Sequence, residues 1–160
     1  MVCLTVISFA PLASGEEKDA EKAFRSFAEF RVGGIWKATD HEGKAVTQKY
    51  RWFADKRFLR VTSTTAGEFN DNVEIVGIDP ANGKLTWWRF ASWGILRPEL
   101  KQLQDGVWNI NTTFTVNQEE VTWDITFTRL NQDELQLGFE RTWKGKKESF
   151  DPQMWKRHEK

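Results

Sequence analysis

Two histidines are the side chains in this chain best suited to acid–base chemistry. His41 lies in a polar loop at residues 40–44, and His158 lies close to the last residue. Nucleophilic catalysis requires a base held beside the nucleophile. Neither histidine is accompanied by a Gly-x-Ser-x-Gly or comparable nucleophile motif. We therefore predict no catalytic residues and a protein that is not an enzyme.

Carboxylates offer a second chemistry, metal binding. Asp71, Glu74 and Asp79 lie close together in the sequence, but their spacing does not match a calcium-binding loop. We interpret them as solvated carboxylates near turns and predict no metal site. An enzyme that uses an inward-facing carboxylate with a displaced pKa stays an alternative, for which Asp124 and Glu140 are the side chains to examine.

The charges of the chain do not favour nucleic acid as a partner. Lys and Arg total 23, Asp and Glu also total 23, and the net charge is zero. Basic residues gather at 144–147 and 156–158 beside Trp143 and Trp155, a mixture found in single-strand binders. Acidic neighbours dilute both groups, so we interpret them as a solvated hairpin and tail.

Aromatic side chains are the most unusual feature of the composition. The chain has nine Trp and twelve Phe but one Tyr, and aromatic residues favour strands. Trp52, Trp88 and Trp123 fall at strand centres, where we expect them to bind a ligand, with Arg89 or Arg141 as a polar anchor. A small barrel is wide enough either to fill itself with side chains or to hold one small ligand. Both outcomes stay open.

The first fifteen residues differ from the rest of the chain. Residues 2–12 form an apolar run, and Ala13, Ser14 and Gly15 follow as small residues before a charged stretch. This pattern predicts a secretory signal peptide over residues 1–15, and we expect it to be truncated at its start because the basic start of such signals is missing. The alternative is a buried first strand. The single cysteine, Cys3, falls in this segment, so the mature chain is expected to be exported without disulfides.

Residues 16–160 form the predicted domain, and residues 17–30 have the pattern of an amphipathic helix. Its apolar face carries Ala20, Ala23, Phe24, Phe27 and Ala28 at helical spacing. Gly33 and Gly34 follow, and the period then changes to the alternation of strands. An amphipathic helix of this length needs a partner surface for its apolar face.

The rest of the chain reads as a series of strands joined by short turns. We predict strands at 34–39, 46–54, 57–65, 72–79, 84–91, 107–116, 119–129 and 134–143, with a ninth at 153–158. Hairpin turns between them predict an antiparallel up-and-down β-barrel of eight or nine strands, which leaves no open edge. Residues 92–106 form the one long connection, which we expect to be a flap with a short helix at 98–103.

The sequence Gly34-Ile35-Trp36 after a helix, followed by a meander with a late Arg, resembles the lipocalin-like (calycin) proteins. The resemblance implies that Trp36 plugs one end of the barrel and that a late basic residue packs across its ring. Arg141 is the first match for that residue and Arg129 the second. Gly34, Trp36 and Arg141 are therefore expected to be structural.

Residues 50–53, 76–80, 83–85 and 92–94 are similar to bacterial lipocalin-like domains of unknown function. Similar modules also follow SnoaL-type domains in exported bacterial proteins. The resemblance covers about two thirds of the chain and contains no catalytic motif. Haem-binding barrels of the nitrobindin type use a His near the C-terminus, but their glycine-rich motif is absent after Trp36, so we expect no cofactor.

Together these observations predict an exported, periplasmic or secreted, helix-capped barrel without catalytic activity. We expect it to bind a small apolar or amphipathic molecule. The alternative is a structural or protein-interaction module of the cell envelope with a filled core. The mean hydropathy is −0.59, and no apolar run reaches the roughly 18 residues needed to span a bilayer.

Overall fold

The computed structural model describes residues 16–67, 72–92 and 94–159. The predicted signal segment and Cys3 lie outside these residues. The chain begins with helix α1 (Glu16–Arg31), which agrees with the predicted helix at 17–30. The backbone turns away from the helix at Gly33 and Gly34, whose φ angles are 90° and 72°, a region that glycine occupies without steric cost.

Eleven strands follow the helix. They are β1 (Ile35–Thr39), β2 (Ala45–Phe53), β3 (Phe58–Thr65), β4 (Val73–Ile78), β5 (Leu85–Ala91), β6 (Gly94–Leu96), β7 (Leu100–Gln104), β8 (Val107–Val116), β9 (Glu119–Arg129), β10 (Glu134–Trp143) and β11 (Lys146–His158). Alternation and turn residues therefore located eight of them to within about two residues.

All eleven strands form one antiparallel sheet that curls into a half-barrel. The order is β6-β5-β4-β3-β2-β1-β11-β10-β9-β8-β7. Strands that pair are therefore consecutive in sequence except for β1 and β11, and the consecutive strands β6 and β7 lie at the two ends of the sheet. The two ends of the sheet approach each other, since Thr86 and Glu99 form an isolated bridge. In addition, the backbone N–H of Trp87 donates to the Pro98 carbonyl at 3.0 Å.

The long connection differs from the prediction. Residues 98–103 do not form a helix, because Leu100 pairs with Ile110 and Lys101 with Asn109 in strand β7. Pairing with β8 thus supplies the backbone hydrogen bonds of this segment, although its local sequence alone would also allow a helix. Strand β6 accounts for the other added strand, so the predicted total of eight or nine is too low.

The last strand is also longer than predicted. Strand β11 begins at Lys146 rather than near residue 153. A tight turn makes this early start feasible, with positive φ at Lys144 (52°) and Gly145 (72°). The resulting hairpin brings all of β11 beside β10, and its last residues beside β1.

Helix α1 packs on the concave face of the sheet and forms the core there. Phe27 has no exposed surface and meets four rings at edge-to-face angles. Its centroid distances are 6.1 Å to Tyr50, 6.0 Å to Trp87, 5.5 Å to Trp108 and 6.3 Å to Phe127. Such contacts add about 0.5–1.5 kcal/mol each beyond area burial. Among the described residues, no helix is long and apolar enough to cross a membrane.

Candidate functional site

The position of helix α1 divides the concave face of the sheet into two halves. We call the part under α1 the closed half; it contains Trp36, Leu59, Trp87, Trp108 and Phe127, all buried. The part beyond α1, which we call the open half, continues the same inward-facing rows. Its members are only partly buried and include Ser63, Arg89, Phe114, Trp123, Phe139, Arg141 and Phe150.

Contacts across the sheet show that the open half is concave. The Arg89 guanidinium lies 5.9 Å from the ring centroid of Trp123, although β5 and β9 are far apart in the strand order. Next to this pair, in the closed half, Trp87 stacks on Phe127 at 5.6 Å. Side chains of opposite parts of the sheet therefore face each other in both halves.

Aromatic rings form one wall of the open half. The Trp123 ring lies 4.6 Å from Phe114 and 6.0 Å from Phe139, both edge to face. Phe139 stacks on Phe150 at 5.0 Å. Because all four side chains keep part of their surface accessible, the wall can contact a molecule placed in the concavity.

A buried carboxyl group lies where the two halves meet. Glu74 is 6% exposed, and its Oε2 accepts a hydrogen bond from Trp87 Nε1 at 2.9 Å. Its Oε1 is 3.9 Å from Arg89 Nε. Burial raises the pKa of Glu74 because the lost hydration of the charged form outweighs the Arg89 charge and the Trp87 hydrogen bond.

The interpretation of the acidic residues in this region as solvated is therefore wrong for Glu74 and for Asp79, which is also buried. Asp79 holds a turn: its Oδ1 accepts from Ala81 N at 2.9 Å and its Oδ2 from Arg97 at 3.0 Å. The Ala81 hydrogen bond, followed by Arg97, lowers the pKa of Asp79. Asp71 lies outside the described residues. The sequence signal for Glu74 was its place in the alternating pattern of the strand. It falls on the same face as Val76 and Ile78, which is the concave face.

Of the four predicted ligand-binding residues, the structure brings Trp123 and Arg89 together. Trp52 lies on the concave face at the rim of the closed half, 36% exposed, with its ring 5.9 Å from Phe24. Trp88 lies on the convex face, 6.0 Å from Phe58, so its expected place in the interior is wrong. Neighbouring residues of a strand point to opposite faces, and the register of β5 turns Trp87 inward.

Gly34 and Trp36 close the end of the half-barrel under α1. A Cβ at Gly34 would lie 2.7 Å from the His158 carbonyl oxygen, so no larger residue fits without movement. Trp36 has no exposed surface and donates through Nε1 to the Arg31 carbonyl at 2.9 Å.

The partner predicted for Trp36 is wrong. Arg31 and Arg157 lie on its ring, 4.5 Å and 4.9 Å from the centroid. Arg141 instead lies 5.5 Å from the Phe150 centroid and donates through Nε to Glu148 at 3.1 Å. The second choice, Arg129, is 5.8 Å from Phe30. Arg157 takes the predicted role because it pairs directly with Trp36 across β1 and β11.

Arg31 is a buried cation that the sequence did not reveal. Its Nη2 donates to Gln48 Oε1 at 2.8 Å and to the Tyr50 hydroxyl at 2.7 Å. Burial lowers the pKa of Arg31. It is the last residue of α1, where an arginine usually points to solvent and interacts with the helix dipole, so no sequence signal indicated its insertion into the core.

The remaining candidates lie outside the open half or at its margin. Asp124 and Glu140 pair with each other across β9 and β10 on the convex face; Asp124 accepts from Asn109 at 2.7 Å. The hydrogen bond from Lys147 lowers the pKa of Glu140. His41 is exposed beside Phe150 at 5.4 Å, and His158 is exposed on β11. In the described ranges, no group of three or more His, Cys, Asp or Glu could hold a metal ion.

A groove of about 930 Å³ runs between α1 and β7 on the outside of the closed half. Charged side chains of both signs line it, among them Asp19, Lys22, Lys84 and Glu99. Lys84 and Glu99 pair with each other at 3.0 Å. Because this pair is satisfied within the protein, the groove lacks the convergent polar groups of a small-molecule site.

No protein-family model matches the chain, and no curated protein matches its sequence. The open half, with its aromatic wall, Arg89 and Glu74, is the arrangement from which a function can be argued.

Proposed function

We propose that this protein is a lipocalin-like barrel that binds a small apolar or amphipathic molecule in the open half of its concave face. One observation carries the proposal: α1 fills the closed half with aromatic rings but leaves Trp123 and its neighbours partly exposed. Small-molecule sites are concave and mostly apolar, with a few polar groups that fix orientation. The open half has this composition, with Arg89 and Ser63 beside the aromatic wall.

The energetic reason is the apolar surface that the rings of the open half keep accessible. Burial of apolar area is worth about 25 cal/mol per Å², and Phe114, Trp123, Phe139 and Phe150 each keep a fraction of theirs accessible. An apolar molecule of modest size would cover several rings at once. The rings of α1 contact rings of the closed half, so the helix fills that half of the concave face.

A titration followed by Trp fluorescence tests the proposal. A panel of fatty acids, fatty alcohols and related lipids is added to the protein, and saturable quenching or a spectral shift is expected for at least one. Trp123→Phe should remove most of the signal. Trp88→Phe is the matched control, because Trp88 is also partly buried and in edge contact with a Phe ring but lies on the convex face. Absence of a saturable response to every compound would favour a filled core.

Export is part of the same proposal. The apolar run at residues 2–12 and the small residues that follow support a signal peptide, and we place the mature N-terminus near residue 16. Expression with a complete signal in a bacterial host, followed by N-terminal sequencing of the protein from the periplasm and medium, tests this. Recovery of uncleaved protein only in the cytoplasm would contradict it.

A second candidate function, protein interaction, is favoured by a row of apolar side chains on the convex face. Val73, Phe90 and Ile95 are register partners across β4, β5 and β6, and they are 43%, 38% and 63% exposed. Contiguous exposed apolar residues often mark interaction sites. Sedimentation over a range of concentrations, with Phe90→Ser as the comparison, would reveal self-association through this row. A monomer at all concentrations would exclude self-association as the form of this interaction.

A further inference from the structure

The charged groups of the open half specify the ligand more closely. We propose that the ligand carries a single carboxylate and that Arg89 is the residue that binds it. This inference rests on the proposed function, because it assigns the head group of the molecule whose apolar part would contact the aromatic wall.

Arg89 is a cation with one donor, its Nε, that no described residue uses. Its Nε is buried and has no hydrogen-bond partner among the described residues. The Glu74 oxygen that forms its ion pair is 3.9 Å away, beyond hydrogen-bond distance. Its side chain nevertheless keeps 32% of its surface exposed, so the guanidinium is accessible from the open half.

Glu74 does not complete the coordination of Arg89. Its carboxyl group is buried and receives the Trp87 indole N–H at 2.9 Å, which holds it in the wall between the two halves. The raised pKa of Glu74 means that its charged form is disfavoured there. A carboxylate on a ligand would arrive from the accessible side of Arg89 and would supply the acceptor that Glu74 does not.

The second arginine of the open half is already neutralised. Arg141 donates through Nε to Glu148 Oε2 at 3.1 Å, and its Nη2 bonds the same oxygen. His41, at the rim beside Phe150, has Glu42 within 3.9 Å. Among the described residues that face the open half, Arg89 is therefore the cation with unfilled hydrogen bonds, and one negative charge satisfies it.

A carboxylate is the group that best fits this cation. The guanidinium presents parallel N–H donors in a planar fork that match two carboxylate oxygens. Arg89 lies over the Trp123 ring, where lower local polarity strengthens the ion pair relative to water. The apolar body of the same molecule can then extend along Trp123, Phe139 and Phe150.

Matched ligands test the inference. Decanoate and decanol have the same chain and differ in the head group, and their affinities can be measured by calorimetric titration against the same protein. The protein should bind decanoate about tenfold more tightly than decanol or better, since a charge-assisted hydrogen bond is roughly twice as strong as a neutral one. Arg89→Gln should remove this preference and leave decanol binding within about twofold.

Arg141→Gln is the control, because Arg141 faces the same half but is paired with Glu148; it should keep the preference for decanoate. Arg89→Lys keeps the charge without the fork and should show a reduced preference, which gives a second reading if Arg89→Gln does not fold. Equal affinities of the unmodified protein for both ligands would overturn the carboxylate and leave the proposed function standing. Binding of neither ligand would overturn both, and an undiminished preference in Arg89→Gln and Arg89→Lys would overturn the role of Arg89.

Discussion

The closed and open halves of the concave face are built from the same alternation of side chains but are filled to different extents. In the closed half, Phe27 and Phe30 of α1 insert between Trp36, Trp87 and Trp108. In the open half the inward rows continue past the helix, and their side chains are only partly buried. A residue that points inward is thus part of the core only where a second layer covers it.

The polar groups differ between the halves in the same way. In the closed half, Arg31 is 1% exposed; it bonds Gln48 and Tyr50 and lies against two rings, although its Nε and Nη1 have no partner in the described part of the chain. In the open half, the Arg89 Nε also has no described partner, but the side chain keeps 32% of its surface exposed. Only the second arginine is therefore accessible to a ligand.

Trp36→Ala should have the largest effect on stability. It removes a fully buried indole and its hydrogen bond to the Arg31 carbonyl, so we expect the free energy of unfolding to fall by about 3–5 kcal/mol. Urea denaturation measures the change. A loss below about 1 kcal/mol would mean that the closed half is not the core of the molecule.

Trp123→Ala should cost less, about 1–2 kcal/mol. The indole is partly exposed, and its neighbours Phe114 and Phe139 also border the concavity, so its removal leaves space that water can already reach. The same urea experiment compares the two variants. A loss equal to that of Trp36→Ala would erase the difference between the halves.

Glu74→Gln tests whether the carboxyl group at the boundary between the halves makes the stability of the protein depend on pH. Because the pKa of Glu74 is raised in the folded protein, the folded state binds the proton more tightly than the unfolded state. The resulting stability is complete below the unfolded pKa of about 4.3 and is lost as the pH rises through the folded pKa. Glutamine can still accept the Trp87 N–H and does not titrate.

We therefore expect Glu74→Gln to be close to the unmodified protein in free energy of unfolding at pH 4, and more stable than the unmodified protein at pH 8. Taking the difference between the two proteins cancels the opposite contributions of Asp79, Glu134 and Glu140, whose pKa values are lowered. A variant less stable than the unmodified protein at pH 8 would show that Arg89 stabilises the charged carboxylate after all.

Arg141→Gln should have the smallest effect, below about 1 kcal/mol, since its partner Glu148 is largely exposed and such pairs contribute little. Arg157→Gln is the comparison in the closed half: Arg157 lies over Trp36 and donates to the Phe30 carbonyl. Arg157→Gln should lower the free energy of unfolding more than Arg141→Gln does, as measured by thermal and urea unfolding. A larger loss of stability for Arg141→Gln than for Arg157→Gln would favour Arg141 as the structural partner of Trp36.

Much of the fold could be predicted from the sequence because its strands alternate cleanly and its turns carry typical residues. The inward parity of Trp123 was readable for the same reason. What could not be read was the pairing of distant segments. Arg157 meets Trp36 only because β11 lies beside β1, and β7 is a strand only because β8 pairs with it.

Two errors at the candidate site have a local cause. Trp87 and Trp88 are adjacent, and one residue of register decides which of them faces inward. Glu74 lies close in sequence to other acidic residues, which favoured a solvated carboxylate. Its position two residues from Val76 favoured the concave face but was the weaker signal. In both cases the sequence contained the residue, while its burial depended on the curvature of the whole sheet.

The central claim is that the open half binds a ligand and the closed half does not. Fluorine NMR of protein labelled with 5-fluorotryptophan tests it directly, because each of the nine Trp residues gives its own resonance, assigned by single Trp→Phe variants. On titration with decanoate, we expect the resonance of Trp123 to shift in a saturable way while those of Trp36 and Trp108 stay in place. Shifts confined to Trp36 and Trp108, or no saturable shift at Trp123 with any ligand of the panel, would contradict the claim.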